Sequence, residues 1–204
     1  HFKGHLITGF GGAIKNIGMG CASREGKLAQ HSNLSPFVDT EACVACGACV
    51  AICPVQAISI SNKKSHIDPK KCIGCSECIA TCTYSAITVD FKAGISDVQE
   101  KMAEYAFAAL RGKEKKALFI NFALRISQEC DCWPKDFPLI APDVGILLSH
   151  DPVAADKASM DVVIRVCGKD VFKEAHPDVD GMKQLKHAEA VGLGDEFGGL
   201  RAVR

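Results

Sequence analysis

The chain has 204 residues, 48% hydrophobic and 24% charged, and its 24 basic residues balance 24 acidic ones for a formal net charge of zero. That balance argues against a basic nucleic-acid patch or a polybasic membrane arm, and with no run of 18 apolar residues no spanning helix is expected. Twelve cysteines without a charged-then-apolar export signal point to a reducing, cytoplasmic compartment.

The first segment in chain order is glycine-rich. Gly9, Gly11 and Gly12 precede Lys15 and Asn16. Glycines let a backbone approach a ligand closely, and successive N–H groups cradle an anion. Lys15 would add a point charge for phosphate or carboxylate. The Gly-Lys-Ser/Thr ending of a Walker loop is absent. Gly9, Gly11, Gly12, Lys15 and Asn16 therefore read either as a cofactor loop, for a flavin or nucleotide phosphate, or as a tight strand-to-loop turn. Cys21 and His31 follow, and His1 and His5 are further imidazoles.

Next come two copies of Cys-x2-Cys-x2-Cys-x3-Cys: Cys43, Cys46, Cys49 and Cys53, then Cys72, Cys75, Cys78 and Cys82. Ala45, Gly47, Ala48, Gly74 and Ser76 between them are small enough for backbone N–H groups to approach sulfur. Ile52, Ile58, Ile73, Ile79 and Ile87 are candidates for a water-excluding shell. Each half reads as strand, loop, short helix, strand. Ala57–Ser61 and Ala86–Asp90 alternate, with Ile58/Ile60 and Ile87/Val89 each sharing a face. Asp68-Pro69 marks the turn between halves. The run resembles the [4Fe–4S] ligation pattern of bacterial two-cluster ferredoxins, in which the last cysteine of each motif serves the other cluster. That resemblance implies one cluster on Cys43, Cys46, Cys49 and Cys82, and a second on Cys72, Cys75, Cys78 and Cys53. Thr83 departs from it, standing where a second proline would match Pro54. Zinc would use four cysteines per site and disulfides suit small secreted domains; two complete three-plus-one motifs favour clusters.

Beyond the repeat, Ser96 and Gln99 have capping-box spacing. Val98, Met102, Tyr105 and Ala109 recur at helical intervals, and Gly112 would end that helix. Residues 116–126 and 143–149 read as buried strands. Asp151-Pro152 opens a helix running to about Val166, with Asp151 as N-cap. Asp151, Asp156 and Asp161 step through about 140° each, so they do not share a face; Asp156 and Lys157 read as solvated or as reaching the site. Residues 181–190 read as a last helix. Strand–helix alternation argues for an α/β host domain.

Cys130 and Cys132 flank Asp131, and in an extended segment both thiols point to one face. They read as a metal chelate or redox pair joined by Cys21 and His31, or as small buried cysteines. Catalytic candidates are thus Cys130, Cys132, Cys21 and Lys15. Cys167 ends an apolar helix and reads as structural, and Trp133 beside Pro134 as loop packing.

The flanks resemble the domain of unknown function 362 family, described as an uncharacterised Fe–S centre protein. The stretches that carry the resemblance are residues 1–32, the two cysteine motifs, Ala103–Tyr105, Ile120–Phe122, Cys130–Cys132, Pro142–Leu147 and Asp151–Asp161. It implies an α/β host domain over 1–37 and 92–204, with an α+β two-cluster ferredoxin-like insert over 38–91. An upstream stretch of the family domain is expected before His1, and the sequence after Gly194 departs from the pattern. The expected function is an electron relay through two [4Fe–4S] clusters to a site in the α/β domain, as an oxidoreductase in a low-oxygen host. That site would hold a flavin, a nucleotide or a third metal, and the electrons would come from a redox partner protein or low-potential donor. The alternatives are a carrier without a catalytic site and an oxygen-sensing or structural scaffold.

Overall fold

The computed structural model describes residues 1–31, 36–89, 95–113, 116–130 and 136–195. The strands are β1 (Lys3–His5), β2 (Gly9–Gly11), β3 (Pro36–Val38), β4 (Ile58–Ser61), β5 (Lys64–Ile67), β6 (Ile87–Val89), β7 (Phe119–Ala123) and β8 (Gly145–Ser149). The helices are α1 (Ala13–Lys15), α2 (Arg24–Gln30), α3 (Ala48–Ile52), α4 (Glu77–Thr81), α5 (Ile95–Leu110), α6 (Pro152–Cys167), α7 (Val171–Ala175) and α8 (Met182–Ala190), and α1 continues as a π-helical stretch over Asn16–Gly20. The chain forms two compact units, one from residues 1–22 and 95–204, the other from residues 23–94.

In the first unit β1 and β2 form an antiparallel hairpin, with Gly4 opposite Phe10. The Gly4 N–H donates to the Ser127 carbonyl at 2.9 Å, and a Cβ on Gly4 would stand 2.2 Å from the Gln128 oxygen, so only glycine fits there. Strands β7 and β8 pair antiparallel, from Phe119 opposite Ser149 to Ala123 opposite Gly145. Helix α6 packs against both strands. It starts as expected: the Asp151 carboxylate accepts from the Val153 and Ala154 N–H groups, Pro152 is its first residue, and Gly168 at φ +70° ends it. Phe2, Phe10 and Phe172 meet with ring centroids 5.4–5.9 Å apart. Ile14, Met102, Ile126, Val153, Val163 and Leu185 are among the fully buried residues packed with them.

Four details differ from expectation. The strand expected over 116–126 is the shorter β7, and it is half-buried: Phe119, Asn121 and Ala123 face inward, while Ile120 and Phe122 are exposed, as are Ile146 and Leu148 across the pair. Among the described residues this sheet has two strands and buries one face. Ser96 lies inside α5 rather than capping it, and Gln99 is buried with its side-chain amide donating to the Ile7 carbonyl. On α5 the inward stripe is Val98, Met102 and Ala106, spaced i, i+4, i+8. Tyr105 and Ala109 are exposed. The short helix α7 has no counterpart among the expected elements.

In the second unit two halves repeat at an offset of 29 residues, Cys43 to Cys72. The crossing is in the strands: β3 of the first half pairs with β6 of the second, and β4 with β5. Asp39 N–H donates to the Ala86 carbonyl and Asp68 N–H to the Ala57 carbonyl, both at 2.8 Å. Among the described residues Cys49, Ile58, Cys78 and Ile87 form a buried apolar cluster. Ile52 and Ile73, expected in an apolar shell, are exposed, as is Ile60.

Candidate metal centres and a lysine–cysteine pair

The loops of the second unit wind around sulfur through left-handed residues at matching positions. These are Ala45 and Gly74, Gly47 and Ser76, and Gln56 and Ser85, with φ between +51° and +82°. Such values are rare outside glycine and mark a backbone held by its surroundings. The turns after Cys53 and Cys82 match: the Gln56 and Ser85 N–H groups donate to the Cys53 and Cys82 carbonyls at 3.3 and 3.1 Å. Thr83 therefore makes the same turn as Pro54.

Two concave pockets result. Cys43, Cys46, Cys49 and Cys82 line one, with Ser65, Tyr84 and Ile87. Cys53, Cys72, Cys75 and Cys78 line the other, with Pro36, Ile67, Ile73 and Glu77. They enclose about 320 and 310 Å³ of empty space, the solvent-facing part included. The eight sulfurs are unbridged thiols. Among the described residues no three His, Cys, Asp or Glu side chains converge closely enough for a single ion; the thiols surround a space instead. The donor set, four thiols around each pocket, suits a multi-iron cluster.

Backbone amides point at these sulfurs. Ala57 N–H donates to Cys53 Sγ at 3.2 Å, and its counterpart Ala86 N–H to Cys82 Sγ at 3.3 Å. Cys43 Sγ accepts from the Ala45 and Ser65 N–H groups at 3.4 and 3.5 Å. The backbone N–H groups of Ser65 and Ala45 and the Ser65 hydroxyl hold the Cys43 thiol below its ordinary pKa. Burial pushes the Cys78 thiol up to about 11, and the charges of Cys72 and Cys75 add to the effect.

In the first unit the glycine segment binds an anion, but the anion is the protein's own. The Asp156 carboxylate accepts from the Ala13 N–H at 2.6 Å, the Ile14 N–H at 3.0 Å and Asn121 Nδ2 at 2.7 Å. A Cβ on Gly12 would stand 2.2 Å from that carboxylate, and one on Gly9 2.9 Å from the Gly181 Cα. Close approach is what these glycines provide, yet to protein rather than to a phosphate. The Ala13 and Ile14 N–H groups at the head of α1 thus already have an acceptor. The structure corrects the solvated reading of Asp156, which is fully buried, its pKa raised to about 6 by desolvation against those hydrogen bonds. Lys157 pairs with Asp161 on the helix surface.

Lys15 is different. Its Nζ donates to Cys130 Sγ at 2.9 Å, joining two of the candidate residues across 115 positions. Cys130 is buried, and the neighbouring Glu129 is pinned by the Leu6 N–H at 2.9 Å and by His176 at 3.4 Å. An adjacent cation favours a thiolate; Cys130 has that neighbour but is buried. Cys21 is exposed, with its sulfur 3.9 Å from Asn16 Oδ1. His31 falls in the other unit, His1 and His5 contact backbone near their own strand or β7, and Cys132 and Trp133 lie outside the described residues. Sequence reading missed the Asp156–Asn121–Ser159 network, for which no local signal exists. It also missed Ser65, which the 29-residue offset could have exposed.

These features define a two-unit chain whose smaller unit is built around two four-thiol pockets. Residues 1–161 match the family described as Domain of unknown function (DUF362), and the chain belongs to that family. A stretch of 30 residues is 53% identical to a subunit of the ion-translocating oxidoreductase complex of Magnetococcus marinus, covering 15% of this chain and 17% of that protein. Among the described residues no helix is long and apolar enough to cross a membrane.

Proposed function

We propose that this chain is an iron–sulfur electron-transfer protein. One [4Fe–4S] cluster sits on Cys43, Cys46, Cys49 and Cys82, the other on Cys53, Cys72, Cys75 and Cys78, and the α/β unit holds the site to which electrons pass. The carrying observation is the partition of eight thiols between two pockets of near-equal size, each taking its fourth cysteine from the other half. The likeness of one stretch to a subunit of an oxidoreductase complex supports the same direction.

When bound, such clusters supply one-electron transfer. The chain's own residues supply the rest. The thiols bind iron. The N–H groups of Ala45, Ser65, Ala57 and Ala86 meet negative charge on sulfur. Ile58 and Ile87 exclude water from the inner side, while Cys46 is exposed, which leaves a solvent-facing corner for a redox partner. Asp156 fixes the head of α1 and so orients Lys15 against Cys130, the pair we assign to the acceptor site.

A carrier without a site of its own is the second reading, favoured by the Asp156 carboxylate occupying the α1 amides. Anaerobically purified protein separates the two. A bound flavin, nucleotide or third metal supports the oxidoreductase. Two clusters alone, reduced rapidly by a low-potential donor, support the carrier. Clusters that resist both reduction and oxidation would overturn both readings.

A further inference from the structure

The two pockets are related by the 29-residue repeat, so positions that break the repeat distinguish them. Ser65 is the clearest. It is buried at 3% exposure and lines the first pocket. Its N–H donates to Cys43 Sγ at 3.5 Å, and its hydroxyl lies 3.4 Å from Cys49 Sγ and 3.7 Å from Cys43 Sγ. At the matching position the second pocket has Pro36, which has neither an N–H nor a hydroxyl. A second break points the same way: Ala48 lines the first pocket and Glu77, a carboxylate, takes its place in the second. The Lys64 ammonium donates to the Cys43 carbonyl at 2.8 Å, adding positive charge beside the first pocket.

Reduction adds negative charge to a cluster, and hydrogen bonds to its sulfurs together with nearby charge set its potential. Resting on the two-cluster reading above, we propose that Ser65 makes the pocket of Cys43, Cys46, Cys49 and Cys82 the higher-potential one, so that a single electron settles there rather than in the pocket of Cys53, Cys72, Cys75 and Cys78. The electron balance is simple. An external low-potential one-electron donor is oxidised, one cluster is reduced by one electron, and no proton or covalent bond changes. Electrons entering at the second pocket then run downhill to the first.

The test is a redox titration of the anaerobic full-length chain, followed by electron paramagnetic resonance, with iron and labile sulfide counted first. Too little iron or sulfide for two clusters defeats the two-cluster reading itself. With both clusters present, equal midpoint potentials defeat only the inference about Ser65. The expected result is two midpoints. Ser65→Ala should lower the higher one alone, shifting the electron's distribution about tenfold, equivalent to about 59 mV for one electron. Ser65→Thr, which keeps the hydroxyl, should preserve the gap. The reciprocal Pro36→Ser and, separately, Glu77→Gln should raise the lower midpoint, which keeps the idea testable if Ser65→Ala fails to fold. A Ser65→Ala shift in the lower midpoint, or no shift in either, would overturn the assignment.

Discussion

Replacing Asp156 with alanine strips three buried donors of their acceptor at once: the Ala13 N–H, the Ile14 N–H and Asn121 Nδ2. A buried donor left unsatisfied costs about 1–3 kcal/mol, which sets the gross loss at roughly 3–9 kcal/mol for three such groups. Part is returned, because burying the carboxylate is itself unfavourable. Its pKa is raised from 3.8 to about 6, a difference of about 3 kcal/mol at about 1.4 kcal/mol per unit. Water entering the space left behind reduces the loss further. The expected net destabilisation is about 2–5 kcal/mol, in the range for breaking a buried charged network. Urea titration of the first unit, followed by circular dichroism with iron content monitored in parallel, measures it. A fall in stability below about 1 kcal/mol, an ordinary surface effect, would refute the claim that this carboxylate anchors α1.

Four further outcomes follow. Because the folded pKa of Asp156 lies above its unfolded value, the proton bound there stabilises the fold fully below about pH 4, and that contribution is lost as pH rises through about 6. Between pH 5 and 7.5 the wild type should lose about 1–2 kcal/mol relative to Asp156→Asn, read from paired urea midpoints; parallel pH profiles would contradict the assignment. Cys53→Ala should remove iron from the pocket of Cys72, Cys75 and Cys78 and leave the other cluster's spectrum, and loss of the first cluster alone would refute the crossed set. Cys130→Ala should leave both clusters' iron intact, so a drop in iron would place Cys130 in cluster assembly instead. Chelating the iron should raise hydrogen exchange across 36–89 while α5 and α6 stay protected; unchanged exchange in 36–89 would show that the second unit folds without metal.

How far sequence reading reached depends on how local each signal is. Helix α6 was legible because Asp151-Pro152 writes its own start into adjacent residues. The cysteine runs likewise announce their loops, since the spacing of each loop is a local property. Asp156 was not legible. Its 140° offset from Asp151 correctly removed it from that residue's face, but only contacts with Ala13 and Asn121, 143 and 35 positions away, turn that other face into a buried one. The same distance problem hid the partner of Lys15, although Lys15 and Cys130 each stand out in their own segment. Residues 116–126 read as a buried strand from their apolar run, yet the antiparallel pair with β8 leaves Ile120 and Phe122 exposed. Ser65 is written into the repeat: aligning the halves sets it against Pro36, and the meaning of that difference emerges only when both are seen lining pockets.

The most direct measurement is the iron and acid-labile sulfide content of the anaerobically purified full-length chain, with its resonance spectrum after reduction. Two [4Fe–4S] clusters require about eight irons and about eight sulfides per chain, with two interacting reduced centres. Zinc bound at the eight cysteines without labile sulfide, or disulfides between them, would contradict the electron-transfer reading at its foundation.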